Sequence, residues 1–122
     1  MGPARSFEDL VVWQKAMLLA VRTYQLAESF PAREQYGLWS QLTRAAASIP
    51  ANIAEGHGRE GRREFANFVS IARGSLAEAL TFVELGARLG YVADPDSQEV
   101  RALADEVGRM LTALNRSLRA SP

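Results

Sequence analysis

The sequence contains no cysteine, one histidine and one lysine among its 122 residues. The lack of cysteine excludes a disulfide framework, thiol catalysis and a zinc site built on thiolates. The longest fully apolar run, residues 16–21, is far shorter than the roughly 20 residues that span a bilayer. The N-terminus also lacks the basic segment followed by an apolar stretch that marks a signal peptide. We therefore expect a cytoplasmic protein with no membrane partner.

An excess of one charge is also missing, because 14 basic residues balance 14 acidic ones. A chain of zero net charge has no global field that would draw it onto nucleic acid or anionic lipid, so such binding would require a local or assembled patch. All of the basic residues except Lys15 are arginine. We interpret this bias as Arg-rich codon usage, and the alternative is recognition of phosphate or carboxylate by the guanidinium fork.

Helical periodicity is present in four stretches, which are separated by Pro31, by residues 56–61 and by residues 90–95. No stretch alternates β-branched residues in the way that is typical of strands. The helices are predicted at about residues 8–29, 33–56, 62–89 and 96–119. A chain of this length with short links favours one domain over residues 1–122, folded as an all-α, antiparallel up-down four-helix bundle.

Pro50 falls inside the second predicted helix, where proline removes one backbone hydrogen bond and crowds the preceding turn. The apolar phase continues across it through Ile49 and Ile53. A single helix with a kink near Pro50 is therefore favoured over two unrelated helices.

The first and third predicted helices each carry two apolar seams, whereas a helix of a monomeric bundle needs one. The seams of the first helix are Leu10, Trp13, Met17, Ala20, Tyr24 and Ala27, and beside it Val12, Ala16, Leu19, Leu26 and Phe30. The candidate oligomer seam of the third helix consists of Phe68, Ile71, Phe82 and Leu85. Either the core face is wider than usual, or a second copy of the chain buries the surplus. We expect the second arrangement, a homo-oligomer.

Gly74 lies within the third predicted helix, where glycine costs about 1 kcal/mol relative to alanine. Close approach of a neighbouring helix at Gly74 and Ser75 would offset this cost.

The residue patterns of a chemical centre are not found. Residues 56–61 match G-x-G-x-x-G, but that motif binds dinucleotides only between a strand and a helix of a βαβ unit. Here it follows a helix, and we interpret it as a flexible connection with His57 exposed in it. One histidine does not supply the convergent ligands of a metal site, and no Glu-x-x-His pair indicates a di-iron bundle. We expect no catalytic residues, cofactor, metal or small-molecule substrate.

A polar stripe follows one edge of the second predicted helix. Its members are Gln41, Arg44, Ser48, Asn52, Glu55 and Arg59. At about 100° per residue they fall within an arc of about 80°. The stripe indicates either a network that ties this helix to its neighbours, or a binding surface that faces a groove or pore. In the network, Arg44 would meet a carboxylate and Asn52 would satisfy the backbone loosened by Pro50.

Arginine is in local excess around the second loop. The candidate ligands for an anion or nucleic acid are Arg44, Arg59, Arg62, Arg63 and Arg73. Arg62 and Arg63 stand at the start of a helix, where the dipole disfavours cations, so they indicate either an external anion or a solvated turn. Repeated around an oligomer, these residues would form a basic rim.

These segments together resemble one protein family. The most specific part is Ser-Ile-Pro-Ala-Asn-Ile-Ala-Glu-Gly over residues 48–56, with residues 44–46 and 58–59 beside it. The other matching segments are 7–10, 12–16, 30–31, 36–38, 41–42, 71–76 and 89–91, and the matching single residues are Glu34, Phe65, Phe68 and Glu78. They resemble the four-helix-bundle proteins encoded in intervening sequences of bacterial 23S ribosomal RNA genes, once labelled S23 ribosomal proteins.

The resemblance implies an antiparallel bundle that assembles as a homopentamer with a central channel, within a family of unestablished function. The family is similar to the accessory variability protein of diversity-generating retroelements, a basic pentamer that works with a reverse transcriptase and RNA. RNA or a ribonucleoprotein is therefore an implied partner.

Two hypotheses for function follow. The first is a non-enzymatic oligomeric module that contacts RNA or a ribonucleoprotein through a repeated Arg rim. The alternative is a protein–protein interaction scaffold with no nucleic-acid role.

Overall fold

The structure, a computed structural model, describes residues 6–120, which form helices and no strand. The four α-helices are α1 (Val11–Ala27), α2 (Leu38–His57), α3 (Arg62–Arg88) and α4 (Asp94–Arg119). Short 3-10 helices, Phe7–Asp9 and Ala32–Glu34, precede α1 and α2. The predicted all-α class with four helices is confirmed.

Three predicted helix starts are wrong by two to five residues. Ser6 accepts a hydrogen bond from the Glu8 N–H at 3.0 Å, which closes a separate turn, so α1 begins at Val11 rather than near residue 8. The chain makes another such turn after Pro31, and α2 begins at Leu38 instead of near residue 33. The fourth helix begins at Asp94, two residues before the predicted position 96, because Pro95 fits the first turn of a helix.

The second helix runs through Pro50 without a break, as its continuous apolar phase predicted. The backbone carbonyl of Ala46 there lacks its usual donor four residues later, since proline has no N–H. A kink at this point stays a prediction.

The helices pack in the order α1–α2–α3–α4, with α4 returning to α1. Residues early in one helix meet residues late in its neighbour, so adjacent helices run antiparallel, as in an up-down bundle. The pairs that show this direction are Lys15–Glu106 and Arg22–Glu99 between α1 and α4, and Ala66–Asn115 and Glu84–Arg101 between α3 and α4.

The core lies along the axis between the four helices. Its fully buried side chains include Leu19, Leu42, Ile49, Ile53, Val69, Val83, Val107 and Leu111. Every member of the second apolar seam of α1 is buried, including Phe30 in the link that follows. The seam that we named first is divided, because Ala20 and Ala27 are buried while Met17 and Tyr24 are exposed.

Two glycines allow close approach of aromatic rings to helices. A Cβ atom on Gly56 would lie 2.7 Å from Phe68 Cβ, and one on Gly86 would lie 2.8 Å from Phe30 Cζ. Gly56 thus sets the spacing of α2 and α3, and Gly86 lets the link after α1 cover the end of the core.

Candidate interaction surfaces

Residues 6–120 contain no cluster of histidine, aspartate and glutamate that could hold a metal ion. Among the described residues, two carboxyl groups have pKa values clearly shifted from the ordinary value, and both serve structural contacts. The Tyr91 hydroxyl, which donates to Glu34 Oε2 at 2.8 Å, and the backbone N–H of Leu38 lower the pKa of Glu34. Hydrogen bonds from Arg88 and Arg101 lower the pKa of Glu84.

We had expected the glycine-rich segment, residues 56–61, to be a flexible connection along its whole length. This expectation is wrong for its first two residues. Gly56 and His57 form the last turn of α2, and Gly56 is buried against α3. His57 is half-buried, and its ring meets the edge of Phe65 with the centroids 5.8 Å apart. The expectation of an exposed loop histidine is therefore wrong, because the helix continues further than the glycine content indicated.

Three residues of the polar stripe, Gln41, Arg44 and Ser48, line the groove between α2 and α3, and the last predicted member, Arg59, lies beyond the end of α2. Ser48 Oγ and Ser75 Oγ are 2.8 Å apart. The Asn52 amide donates to the Ser48 carbonyl and hydroxyl, each at 2.8 Å. Its backbone partner is therefore Ser48 and not Ala46, whose carbonyl loses its donor at Pro50. The stripe is in part the predicted network between helices.

The five candidate arginines do not form one patch within the chain. Arg44 lines the α2–α3 groove together with Glu78, while Arg73 lines the groove between α3 and α4. Arg59 binds Glu55 at 2.9 Å and lies 5.0 Å over the centre of the Phe68 ring. The α2–α3 groove, which contains Arg44, and the groove between α3 and α4, which contains Arg73, face different directions. The spacing of the arginines in the sequence did not reveal this separation.

The two arginines that open α3 also differ. Arg62 donates to the Ser117 carbonyl at 2.6 Å and so ties α3 to the end of α4. Arg63 is exposed, and its side chain makes no hydrogen bond or ion pair with the rest of residues 6–120. The side chains of Arg44 and Arg73 likewise make no hydrogen bond or ion pair with the rest of residues 6–120.

The candidate oligomer seam of α3 is likewise divided. Phe68 and Phe82 are half-buried beside α2, whereas Ile71 and Leu85 are 51% and 43% exposed. We define the α3 outer stripe as Ile71, Gly74, Leu85 and Leu89. A Cβ atom on Gly74 would meet nothing within 4 Å, so no described helix of this subunit approaches it, and the close contact expected at Gly74 is wrong. The contact expected at Ser75 is made, since its hydroxyl lies 2.8 Å from that of Ser48 on α2.

An apolar groove between α1 and α2 was not singled out from the sequence. We define the α1–α2 groove by Trp13, Met17, Val21 and Tyr24 on α1 and Ala47, Pro50, Ala51 and Ala54 on α2. Its volume is about 460 Å³, and no charged side chain lines it among the described residues. Met17, Val21 and Tyr24 remain 40%, 49% and 43% exposed. The sequence signal for this groove was the first apolar seam of α1 together with the small residues Ala47, Ala51 and Ala54 on α2.

The fold and these surfaces define a class of protein: a small helical bundle with exposed apolar faces and, within residues 6–120, no cluster suited to hold a metal. No helix in this part of the chain has the length and hydropathy of a membrane span. Residues 8–113 match the model of the 23S rRNA-intervening sequence protein family. The chain belongs to that family.

A solved structure agrees with this assignment. It is a protein of unknown function from the S23 ribosomal protein family of Bacteroides thetaiotaomicron VPI-5482, with a TM-score of 0.79 and 27% sequence identity. The similarity covers 87% of this chain and 99% of the other. A search of curated proteins gave no significant match.

Proposed function

We propose that this protein is a non-enzymatic assembly module whose copies bind one another through the α1–α2 groove. The observation that carries this proposal is the exposure of Met17, Val21 and Tyr24 around a floor of small residues. Contiguous apolar surface of this kind marks interaction sites in folded proteins, because its exposure to water is unfavourable.

The α3 outer stripe supplies a second face for the same assembly. Ile71 and Leu89 are about half exposed, and Gly74 between them has no packing role within residues 6–120. Glycine in an exposed helix interior costs about 1 kcal/mol. A helix of a neighbouring copy that crosses the stripe at Gly74 would offset that cost by close contact.

The two faces are unlike, since one is a groove and the other a ridge. A groove on one subunit that receives a ridge of the next forms a heterologous contact, which closes into a ring when the rotation allows. The family resemblance gives five as the expected number of subunits, so we propose a homopentamer.

Sedimentation velocity and native mass spectrometry of the full chain test the assembly. We expect a species of about five chain masses at micromolar concentration. Ala51→Glu places a charge on the exposed floor of the α1–α2 groove and should yield monomers with unchanged helical circular dichroism. Tyr36→Glu is the control, because Tyr36 is 91% exposed outside both faces. A wild-type monomer at this concentration would refute the proposal.

A second candidate function is contact with RNA or a ribonucleoprotein. The unpaired side chains of Arg44, Arg63 and Arg73 favour it, since a ring would repeat them on every subunit. Phosphate contacts predict binding that weakens steeply with salt. Filter binding of single-stranded and structured RNA at several salt concentrations tests this function. Absence of binding at low salt would leave the protein scaffold alone.

A further inference from the structure

A groove between α3 and α4 combines arginine walls with an apolar floor. Arg73 stands on α3, with Arg109 and Arg116 on α4. The contacts Ala66–Asn115 and Leu76–Gly108 fix the antiparallel register, which places Arg73 level with Arg109. We call this surface the α3–α4 groove. Its volume is about 490 Å³.

The charge of the α3–α4 groove is positive although the chain is neutral overall. Asp105 is the one carboxylate among its described lining residues, and it binds Arg109 at 3.0 Å. The side chains of Arg73 and Arg116 form no ion pair or hydrogen bond with residues 6–120. The groove therefore presents two uncompensated guanidinium groups to a partner.

The spacing of the cations suits a helix. Arg73 stands level with Arg109, and Arg116 lies seven residues further along α4, so about two helical turns, or about 10 Å, separate the unpaired guanidinium groups of Arg73 and Arg116 along the axis. Carboxylates that recur every one or two turns on a partner helix match this distance. Arg73 lies on the α3 wall of the groove and Arg116 on the α4 wall.

The floor favours a protein partner over nucleic acid. It consists of Leu76, Ala77, Leu80, Ala104, Gly108, Thr112 and Ala113. No aromatic ring lies among these residues, so the groove offers no platform on which bases stack. A row of small and aliphatic side chains instead matches the apolar stripe of an amphipathic helix, the helix-in-groove mode of recognition.

We propose that the α3–α4 groove binds an amphipathic helix of another protein, whose apolar stripe is bordered by acidic residues. The arginines would pair with the acidic border, and the floor would bury the stripe. This site is separate from the α1–α2 groove, and none of its lining residues belongs to the α3 outer stripe, so its occupation does not depend on the proposed assembly.

The test measures fluorescence anisotropy of a labelled 18-residue helical peptide titrated with the full-length protein. In the peptide, a leucine stripe is flanked by glutamates at about helical-turn spacing. We expect saturable binding, which is lost when lysines replace the glutamates and is weakened when serines replace the leucines. No binding of the acidic peptide would overturn the proposal.

Substitutions locate the site. Arg73→Glu and Arg116→Glu should each weaken peptide binding by about tenfold or more, because each places repulsion where a carboxylate must dock. Arg63→Glu changes the charge equally on the same helix but outside the groove, and should alter affinity by less than about twofold. Equal effects of all three variants would reduce the binding to general electrostatic attraction and overturn the proposal.

Two further measurements separate other occupants. If a single-stranded oligoribonucleotide displaces the peptide and loses its own binding in Arg73→Glu, the groove binds phosphate backbone and the proposal is wrong. The oligomer mass of Arg73→Glu should equal that of the wild type. A fall to monomer would show instead that a second copy occupies the groove.

Discussion

The outward faces of α1 and α4 differ although the two helices are neighbours in one small bundle. Along α4 the exposed positions include Asp105, Glu106 and Arg109, and Arg109 pairs with Asp105 at 3.0 Å. Along α1 they include Val11, Met17, Leu18, Val21 and Tyr24. A helix with one apolar stripe is complete in a monomer, whereas α1 has apolar surface left over.

The difference shows how charged and apolar side chains are distributed over the surface of a chain that has no net charge. The fourth helix has the separated apolar and charged faces of a solvated surface helix, and ion pairs tie it to α1 and α3. The α1–α2 groove and the α3 outer stripe lie on faces of α1 and α3 other than those that carry these ion pairs. We infer that other copies of the chain bind the apolar faces, while the charged faces remain open to other ligands.

The largest expected effect is the difference between two variants that place the same negative charge on the apolar face of α1 and on the charged face of α4. Val21→Glu should dissociate the assembly at micromolar concentration, because a carboxylate in an apolar interface loses its hydration without gaining a partner. Ala102→Glu, at an exposed position of α4, should leave the sedimentation coefficient unchanged. Equal behaviour of the two variants would remove the distinction between the faces.

The second prediction contrasts the interior with these surfaces. Gly56→Ala forces a Cβ atom to within 2.7 Å of Phe68 Cβ and 2.9 Å of Phe65 Cδ1. Overpacking of this kind should destabilise the fold by about 1–3 kcal/mol. Urea unfolding followed by circular dichroism measures the change. An unchanged midpoint would show that α2 and α3 separate at little cost.

Gly74→Ala should do the opposite to the isolated fold. The position is exposed with open space around it, so alanine should stabilise a dissociated chain by about 1 kcal/mol. Thermal unfolding in a Val21→Glu background measures this gain. In the otherwise unchanged protein, the added methyl group should weaken the assembly, and equally tight association would contradict a helix crossing at Gly74.

Periodicity alone predicted the number of helices and most of their extents, because apolar phase is a local property of the chain. It did not predict the starts of α1 and α2, where the 3-10 turns at Phe7–Asp9 and Ala32–Glu34 compete with the helix. Nor did it decide which seam of α1 faces inward. The buried seam is selected by packing against α2 and α4, which depends on residues far along the chain.

The candidate surfaces were less predictable than the fold. Arg59 and Arg73 belong to the same local excess of arginine, but Arg59 lies in the link after α2, over the Phe68 ring, whereas Arg73 lies on α3 in the α3–α4 groove. The α1–α2 groove needs side chains from two helices, so neither helix indicates it alone. By contrast, the stripe residues Ser48 and Asn52 already stood one turn apart, and their hydrogen bond is a local feature.

The smallest expected effect concerns the charged side of the bundle. Glu84 on α3 accepts hydrogen bonds from Arg88 and binds Arg101 of α4, and these arginines hold its pKa below the ordinary value of 4.5. A carboxyl with a lowered pKa in the folded state stabilises the fold above its unfolded pKa, and this stabilisation fades as the pH falls through the folded value. Glu84→Gln should therefore lower the urea midpoint slightly at about pH 7, and the difference should shrink as the pH falls below the ordinary pKa of 4.5. The control Asp105→Asn removes a pair within one helix and should change the midpoint still less. A difference between Glu84→Gln and the wild type that persists unchanged in acid would show that shape, and not charge, is what Glu84 contributes to the contact between α3 and α4.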